Sequence, residues 1–167
     1  MHSVATDVDK ARVGYTYDRL SIACEGLVDL RQAIEYHKVS LRIAEEAGDM
    51  DGQGRASRNL GNAFQVFGNF KQALEYHKLL INIAAEVGDK AGQRRAYEDL
   101  GCAYRGLNDF KQAVQYHKLN LNIAIEVGDR AGQGHAFGNL GNAYQGLGDF
   151  RQAIEYHKLH LDRKSVV

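Results

Sequence analysis

The sequence predicts an all-α protein made of four tandem helical hairpins. A segment of about forty residues recurs without insertion, most clearly when Asp89–Lys118 is compared with Asp129–Lys158. The chain contains no proline and no run of alternating apolar and polar residues of the kind expected for a strand. A fixed period of this length is typical of stacked supersecondary units. We therefore expect a single array with repeats at residues 9–48, 49–88, 89–128 and 129–167.

Stop-and-start signals separate the helices of repeats two to four. At Gly88-Asp89 the glycine suits the left-handed residue that ends a helix, and the aspartate suits the N-cap of the next one. Asn108-Asp109 repeats the signal inside the third repeat. We expect a first helix at about Lys90–Gly106 and a second at about Phe110–Val127. Asp9 is expected to cap the first helix of repeat one in the same way.

Apolar residues on both helices are spaced three and four apart, as one buried helical face requires. On the first helix of repeat three these residues are Tyr97, Leu100, Tyr104 and Leu107. On the second helix they are Phe110, Ala113, Val114, His117, Leu121 and Ala124. A glycine in mid-helix lowers helix propensity. We therefore expect Gly101 to allow close approach of the partner helix.

Composition and charge narrow the class of protein. The formal net charge is zero, so no global field draws the chain to nucleic acid or anionic lipid. The sequence has no apolar run long enough for a signal peptide or a membrane span. Cys24 and Cys102 lie two repeats apart, beyond disulfide reach. We expect a cytoplasmic protein with reduced thiols and no membrane span.

The repeat resembles the tetratricopeptide repeat (TPR). The matching residues are Leu140, Gly141, Tyr144, Phe150 and Ala153. The forty-residue period and the tripeptides Leu60-Gly61-Asn62 and Leu140-Gly141-Asn142 are similar to the Leu-Gly-Asn repeat and Partner of Inscuteable subfamily, over about residues 9–161. The resemblance implies a right-handed α-solenoid whose first helices line a concave groove. It also implies an adaptor of the cell-polarity and spindle-orientation type that binds extended acidic segments. G-protein coupling belongs to a separate region of that subfamily and is not expected here.

The same resemblance places groove-lining residues five and two positions before the central leucine, and two and five positions after it. The candidate peptide-binding residues are Arg55, Arg58, Asn62, Gln65, Arg95, Glu98, Arg105, His135, Asn142 and Gln145. The remaining residues in this register are Cys102 and Gly138, together with Tyr15, Asp18, Ile22 and Glu25 of repeat one. The alternative interpretation is that these side chains form an ordinary solvated helix face.

These side chains predict a protein or peptide partner that is extended and acidic. Arginine pairs well with carboxylates, and side-chain amides can both donate to and accept from an extended peptide backbone. Charge reversal at Arg58 and Arg95 should weaken binding. In the subfamily, the asparagine of the tripeptide grips the peptide backbone. By resemblance that role falls to Asn62 and Asn142.

No catalytic, metal or cofactor site is expected. His37, His77, His117 and His157 recur in a Tyr-His-Lys string, but successive second helices lie too far apart for shared zinc ligation. We expect these rings to be packed and hydrogen-bonded. His157 and His160 are three residues apart and could share an ion, but two histidines alone are weak evidence for a metal site. Gly132-Gln133-Gly134 lacks the preceding strand and the spacing of a dinucleotide loop.

The alternative function is a structural or self-associating module. In repeat four the second helix ends Asp162-Arg163-Lys164, where the earlier second helices continue with Ile-Ala. This polar ending is consistent with an end cap or with a truncated array. The second is favoured, so we expect a short isoform or a fragment. Exposed terminal repeats would then allow a homodimer.

Overall fold

A computed structural model describes residues 9–17, 19–20 and 29–164. The chain divides into two compact units, Met1–Val87 and Gly88–Val167, each of which holds two of the predicted repeats. Helix is the only regular secondary structure among the described residues, which confirms the predicted all-α fold. That the four repeats form one array stays a prediction.

The helices follow the predicted boundaries closely. The first unit contains helix α1 at residues 9–17 and 19–20, α2 at Leu30–Ala47, α3 at Met50–Val66 and α4 at Phe70–Glu86. The second unit contains α5 at Lys90–Gly106, α6 at Phe110–Glu126, α7 at Arg130–Gly146 and α8 at Phe150–Lys164. In the second unit each helix packs against the next one along the chain.

Capping explains why the helices begin where they do. Seven acidic or amide side chains each accept a hydrogen bond of 2.8–3.3 Å from the backbone N–H three residues later. These residues are Asp29, Asp49, Asn69, Asp89, Asp109, Asp129 and Asp149. Asp9 differs, because it already lies inside α1 and pairs with Arg12 at 3.7 Å.

The turns between helices use left-handed backbone. The glycine before each capping residue, where one is present, has φ between 65° and 83°. The third repeat has Asn108 at that place, with φ 60°. Asparagine is enriched among the non-glycine residues that adopt this region. The predicted stop-and-start signals are therefore confirmed at both kinds of turn.

A leucine lies at the centre of each hairpin that is described in full. Leu60, Leu100 and Leu140 are fully buried. The glycine after each leucine meets the histidine ring of the second helix, and a Cβ on Gly101 would overlap the His117 ring. The prediction that Gly101 allows close helix approach is confirmed.

Aromatic side chains join the two helices of each hairpin beside this contact. Tyr104 stacks on Tyr116 with ring centroids 5.2 Å apart, and Tyr144 stacks on Tyr156 at 5.4 Å. Repeat two has Phe64 in the equivalent place, stacked on its tyrosine at 5.6 Å. These pairs explain why the first-helix aromatic recurs four residues after each central leucine.

Three details differ from the sequence-based expectation. Leu107 lies in the turn after α5 rather than on its buried face, and its side chain is 38% exposed. The His117 ring is buried as expected, but neither ring nitrogen has a hydrogen-bond partner. Asn120 is fully buried, and its side-chain nitrogen donates to the Arg94 carbonyl at 2.8 Å. The periodic pattern had not assigned Asn120 to the core.

Candidate functional site

The first helices of the second unit form one layer. Helix α5 packs on α6, α6 packs on α7, and α5 also contacts α7 directly. Within the described residues, the second helices α6 and α8 make no such contact with each other. The predicted peptide-binding positions of repeats three and four therefore lie on neighbouring helices of one layer.

Most of the candidate residues are open to solvent. Six of the ten predicted side chains are exposed, and none of the six is acidic. They are Arg55, Asn62, Arg95, His135, Asn142 and Gln145. Except for Gln145, they lie five residues before or two residues after the central leucine. These two register positions are therefore the ones that a ligand can reach most directly.

The other four candidates, Arg58, Gln65, Glu98 and Arg105, are half-buried. Two of them lie beside buried histidines. The pKa of His77 is lowered to about 4, chiefly by burial and then by the charge of Arg58. The pKa of His117 is also lowered to about 4, by burial and then by Arg105. At neutral pH both rings are uncharged, so the positive charge at these places belongs to the arginines.

Glu98 is held in a polar network that the sequence analysis missed. Arg94 donates to the Glu98 carboxylate at 3.2 Å and also pairs with Asp129, the N-cap of α7, at 3.2 Å. Asn139 of α7 donates to the other Glu98 oxygen at 3.5 Å. Arg94 thus offsets the charge of Glu98 and links α5 to α7. The sequence contained a signal for this network, because the other three repeats have a glycine at the position of Arg94, namely Gly14, Gly54 and Gly134.

Cys102 occupies the place of the tripeptide asparagine in repeat three. Its side chain is half-buried, and burial raises the pKa of its thiol to about 11. The thiol is therefore protonated at neutral pH, and it is a much weaker hydrogen-bond donor and acceptor than an amide. Cys24, the other cysteine, lies outside the described residues.

The remaining register positions add little to the surface. Gly138 is half-buried, and a Cβ there would lie 3.4 Å from Nδ1 of His160. Tyr15 of repeat one is exposed. Asp18, Ile22 and Glu25 lie outside the described residues. The candidate side chains that the structure describes therefore belong chiefly to repeats two, three and four.

The described residues do not form a metal centre. No three His, Cys, Asp or Glu side chains among them come together as metal ligands. Nδ1 of His160 lies 2.7 Å from the Gly134 carbonyl oxygen, so this nitrogen carries the proton and donates. Only the other nitrogen of His160 could then face an ion. In the part of the chain described, no helix has the length and hydropathy of a membrane span.

Comparisons with known proteins agree with this architecture. Family models described as tetratricopeptide repeat match residues 53–126 and residues 136–165. G-protein-signaling modulator 1 from Homo sapiens is 43% identical over 54 residues. This match spans 32% of the present chain and only 8% of that protein.

Solved structures share the fold at low identity. BtubC from P. vanneervenii superposes with a TM-score of 0.85 at 22% identity, covering 91% of this chain and 63% of that one. A Rap protein complexed with Competence and Sporulation Factor gives a TM-score of 0.80 at 15% identity, covering 93% and 43% respectively. These likenesses show the fold alone. Since the two family matches together take in more than half of the sequence, the chain belongs to the tetratricopeptide repeat family.

Proposed function

We propose that this protein is an interaction scaffold that binds an extended acidic peptide segment through the exposed side chains of its first helices. The tetratricopeptide repeat fold is that of a protein-interaction module, and proteins of this family are generally non-enzymatic scaffolds. One observation carries the finer proposal. The exposed candidates include Arg55 and Arg95 and no carboxylate, although the molecule as a whole is neutral.

The chemistry of these side chains fits such a ligand. Arg95 can form two parallel hydrogen bonds with one carboxylate, and a charged pair of this kind is about twice as strong as a neutral hydrogen bond. The amides of Asn62 and Asn142 can each donate to a peptide carbonyl and accept from a peptide N–H. An extended backbone leaves both groups unpaired. Acidic side chains and extended backbone would therefore be recognised by different residues of the first helices.

Fluorescence-polarisation titration of the 167-residue chain with labelled acidic and basic peptides tests this proposal. We expect saturable binding of the acidic peptides that weakens with added salt. Arg95→Glu, at an exposed position, should raise Kd about tenfold or more, because it removes a charge-assisted pair and adds repulsion. Arg55→Glu should act in the same direction.

Lys111→Glu is the matched control. It makes the same charge change at an exposed position of α6, which is a second helix. If Lys111→Glu and Arg95→Glu weakened binding equally, the effect would come from net charge and the proposed site would be wrong. Affinity that stayed unchanged in Arg95→Glu would also reject the site. Asn142→Ala should weaken the binding of acidic peptides of different sequence by a similar factor, because the proposed contact is with the peptide backbone.

We further propose a cytoplasmic adaptor of the cell-polarity type. The forty-residue repeat and the similarity to a segment of G-protein-signaling modulator 1 support this role. The matched segment is a small part of that relative, so G-protein signalling is not carried over. Pull-down from polarised cells with wild-type protein and with Arg95→Glu would test the role. A partner retained equally by both proteins would not be the proposed peptide ligand.

A further inference from the structure

Helix α8 carries an apolar stripe that no element of the described chain covers. Phe150, Ile154 and Leu161 are 64%, 55% and 63% exposed. Their spacing of four and seven residues places them on one side of the helix. A row of large apolar side chains on one helical face is more than the scattered exposure normal for a soluble surface. This stripe is therefore a candidate interface.

In the same unit, the equivalent face of α6 is buried. Val114, which corresponds to Ile154, is only 7% exposed. It lies in a buried cluster with Ala143 of α7, and the Phe110 ring lies where a Cβ on Gly146 would be. The corresponding face in α6 is thus buried by a neighbouring helix. The stripe on α8 has the same spacing and can accept a helix in the same way.

A row of charged residues runs beside the stripe. Arg151, Glu155, Lys158 and Asp162 are all exposed, and their spacing of four, three and four residues places them along one side of the stripe. Their charges alternate as positive, negative, positive, negative. Read from the other end of the helix, the order is negative, positive, negative, positive. The row is therefore complementary to itself in the antiparallel direction.

From this geometry we infer that α8 is a dimerisation helix, which packs antiparallel on α8 of a second copy about a two-fold axis. In that arrangement Arg151 faces Asp162 of the partner subunit, and Glu155 faces Lys158 of the partner subunit. The apolar stripes meet between these rows, so Phe150 packs near Leu161 of the partner subunit. A two-fold interface repeats each contact twice and closes at two copies.

The charge row singles out α8 among the second helices. The corresponding residues of α6 are Lys111, Gln115, Lys118 and Asn122. Neither these nor the equivalents in α4 alternate over all four positions, since Asn82 and Asn122 are neutral where α8 has Asp162. In α2 the equivalent residue is Arg42, which is positive. The acidic residue that makes the pattern self-complementary occurs only where the apolar stripe is uncovered.

Sedimentation velocity over low to high micromolar concentrations tests this inference. We expect a reversible monomer–dimer equilibrium with no larger species. Arg151→Glu and Asp162→Arg should each weaken the dimer about tenfold, since each turns two attractive pairs into repulsive ones. An equimolar mixture of the two variants should dimerise as the wild type does, because the substituted residues then face opposite charges. Lys111→Glu is the control for charge alone and should leave the dimer unchanged.

Several results would overturn the inference. These are a monomer at every concentration, a dimer insensitive to both substitutions, or a mixture that fails to restore association. Open-ended growth beyond two copies would show that α8 binds a different face of the next molecule. Circular dichroism would confirm that both variants are folded, as expected for exposed positions. None of the residues involved belongs to the proposed peptide site, so the two proposals can fail independently.

Discussion

Replacing Gly101 with alanine tests whether the glycine in mid-helix is there to admit the His117 ring. A Cβ at this position would lie 2.6 Å from Nδ1 and 2.7 Å from Nε2 of His117. Ordinary contacts between non-bonded heavy atoms are about 3.5–4.0 Å, so the overlap is close to 1 Å. The ring is fully buried, which leaves it little room to move aside.

Two opposing effects set the magnitude. Alanine is favoured over glycine in a helix by roughly 1 kcal/mol. Overpacking of a dense core costs roughly 1–3 kcal/mol, and more where the neighbour cannot move. Because the overlap falls on a buried ring, we expect the second effect to be larger. Gly101→Ala should lower the free energy of unfolding by roughly 1–2 kcal/mol, or the melting temperature by about 2–8 °C.

Gly134→Ala is the matched control in the other first helix of the same unit. A Cβ there meets nothing within 4 Å, so the propensity gain should appear alone and raise stability by about 0.5–1 kcal/mol. Urea denaturation of both variants, and of Gly101→Ala combined with His117→Ala, completes the test. Once the His117 ring is removed, alanine at position 101 should no longer lower the free energy of unfolding. If Gly101→Ala were as stabilising as Gly134→Ala, the close-approach explanation would be refuted.

Two further predictions concern the core and pH. Leu100→Ala should lower the free energy of unfolding by about 2–5 kcal/mol, because it leaves a cavity in the core. Leu107→Ala, in an exposed turn, should change stability little. Equal losses of stability in thermal melts would contradict the assigned register. His77 and His117 have a pKa of about 4 when folded and an ordinary value of 6.5, so between these values the unfolded state binds more protons. Stability should be unaffected above pH 6.5 and fall as the pH drops towards 4, by up to about 1.4 kcal/mol per pH unit for each ring. Urea midpoints between pH 5 and 7 measure this slope, which His117→Gln should roughly halve; a flat profile would contradict it.

The fold could be predicted from local signals that repeat. From α2 to α8, each helix start depends on a side chain and a backbone N–H three residues apart, as at Asp129 and Gly132. Each described turn between these helices depends on one residue with positive φ. Because these signals are local and recur in the repeats, they can be read from the sequence, and the predicted helix boundaries agree closely with the structure. The central leucine followed as well, because its neighbours three and four residues away are apolar.

The candidate site was harder to predict, because its character depends on contacts between helices. Arg55 and Arg58 are equally polar in sequence, yet the first is exposed and the second is half-buried. Glu98 was expected to face a ligand, but its partner Arg94 also reaches Asp129 on another helix. Pairings of this kind follow from helix packing rather than from periodicity. Positions where one repeat differs from the others were the only sequence signals for such pairings, and Arg94 in place of glycine is one of these positions.

The stacked tyrosines have a practical consequence for measuring this molecule. The chain has no tryptophan, so its near-ultraviolet signal comes chiefly from tyrosine. Tyr104 with Tyr116, and Tyr144 with Tyr156, are parallel rings about one ring-width apart, and such rings couple their electronic transitions. In repeat two, one member of the stacked pair is a phenylalanine. Near-ultraviolet circular dichroism would thus follow the stacked tyrosines of Gly88–Val167 without any added label, together with the tilted Tyr17–Tyr36 pair of the other unit, whose ring centroids are 5.9 Å apart.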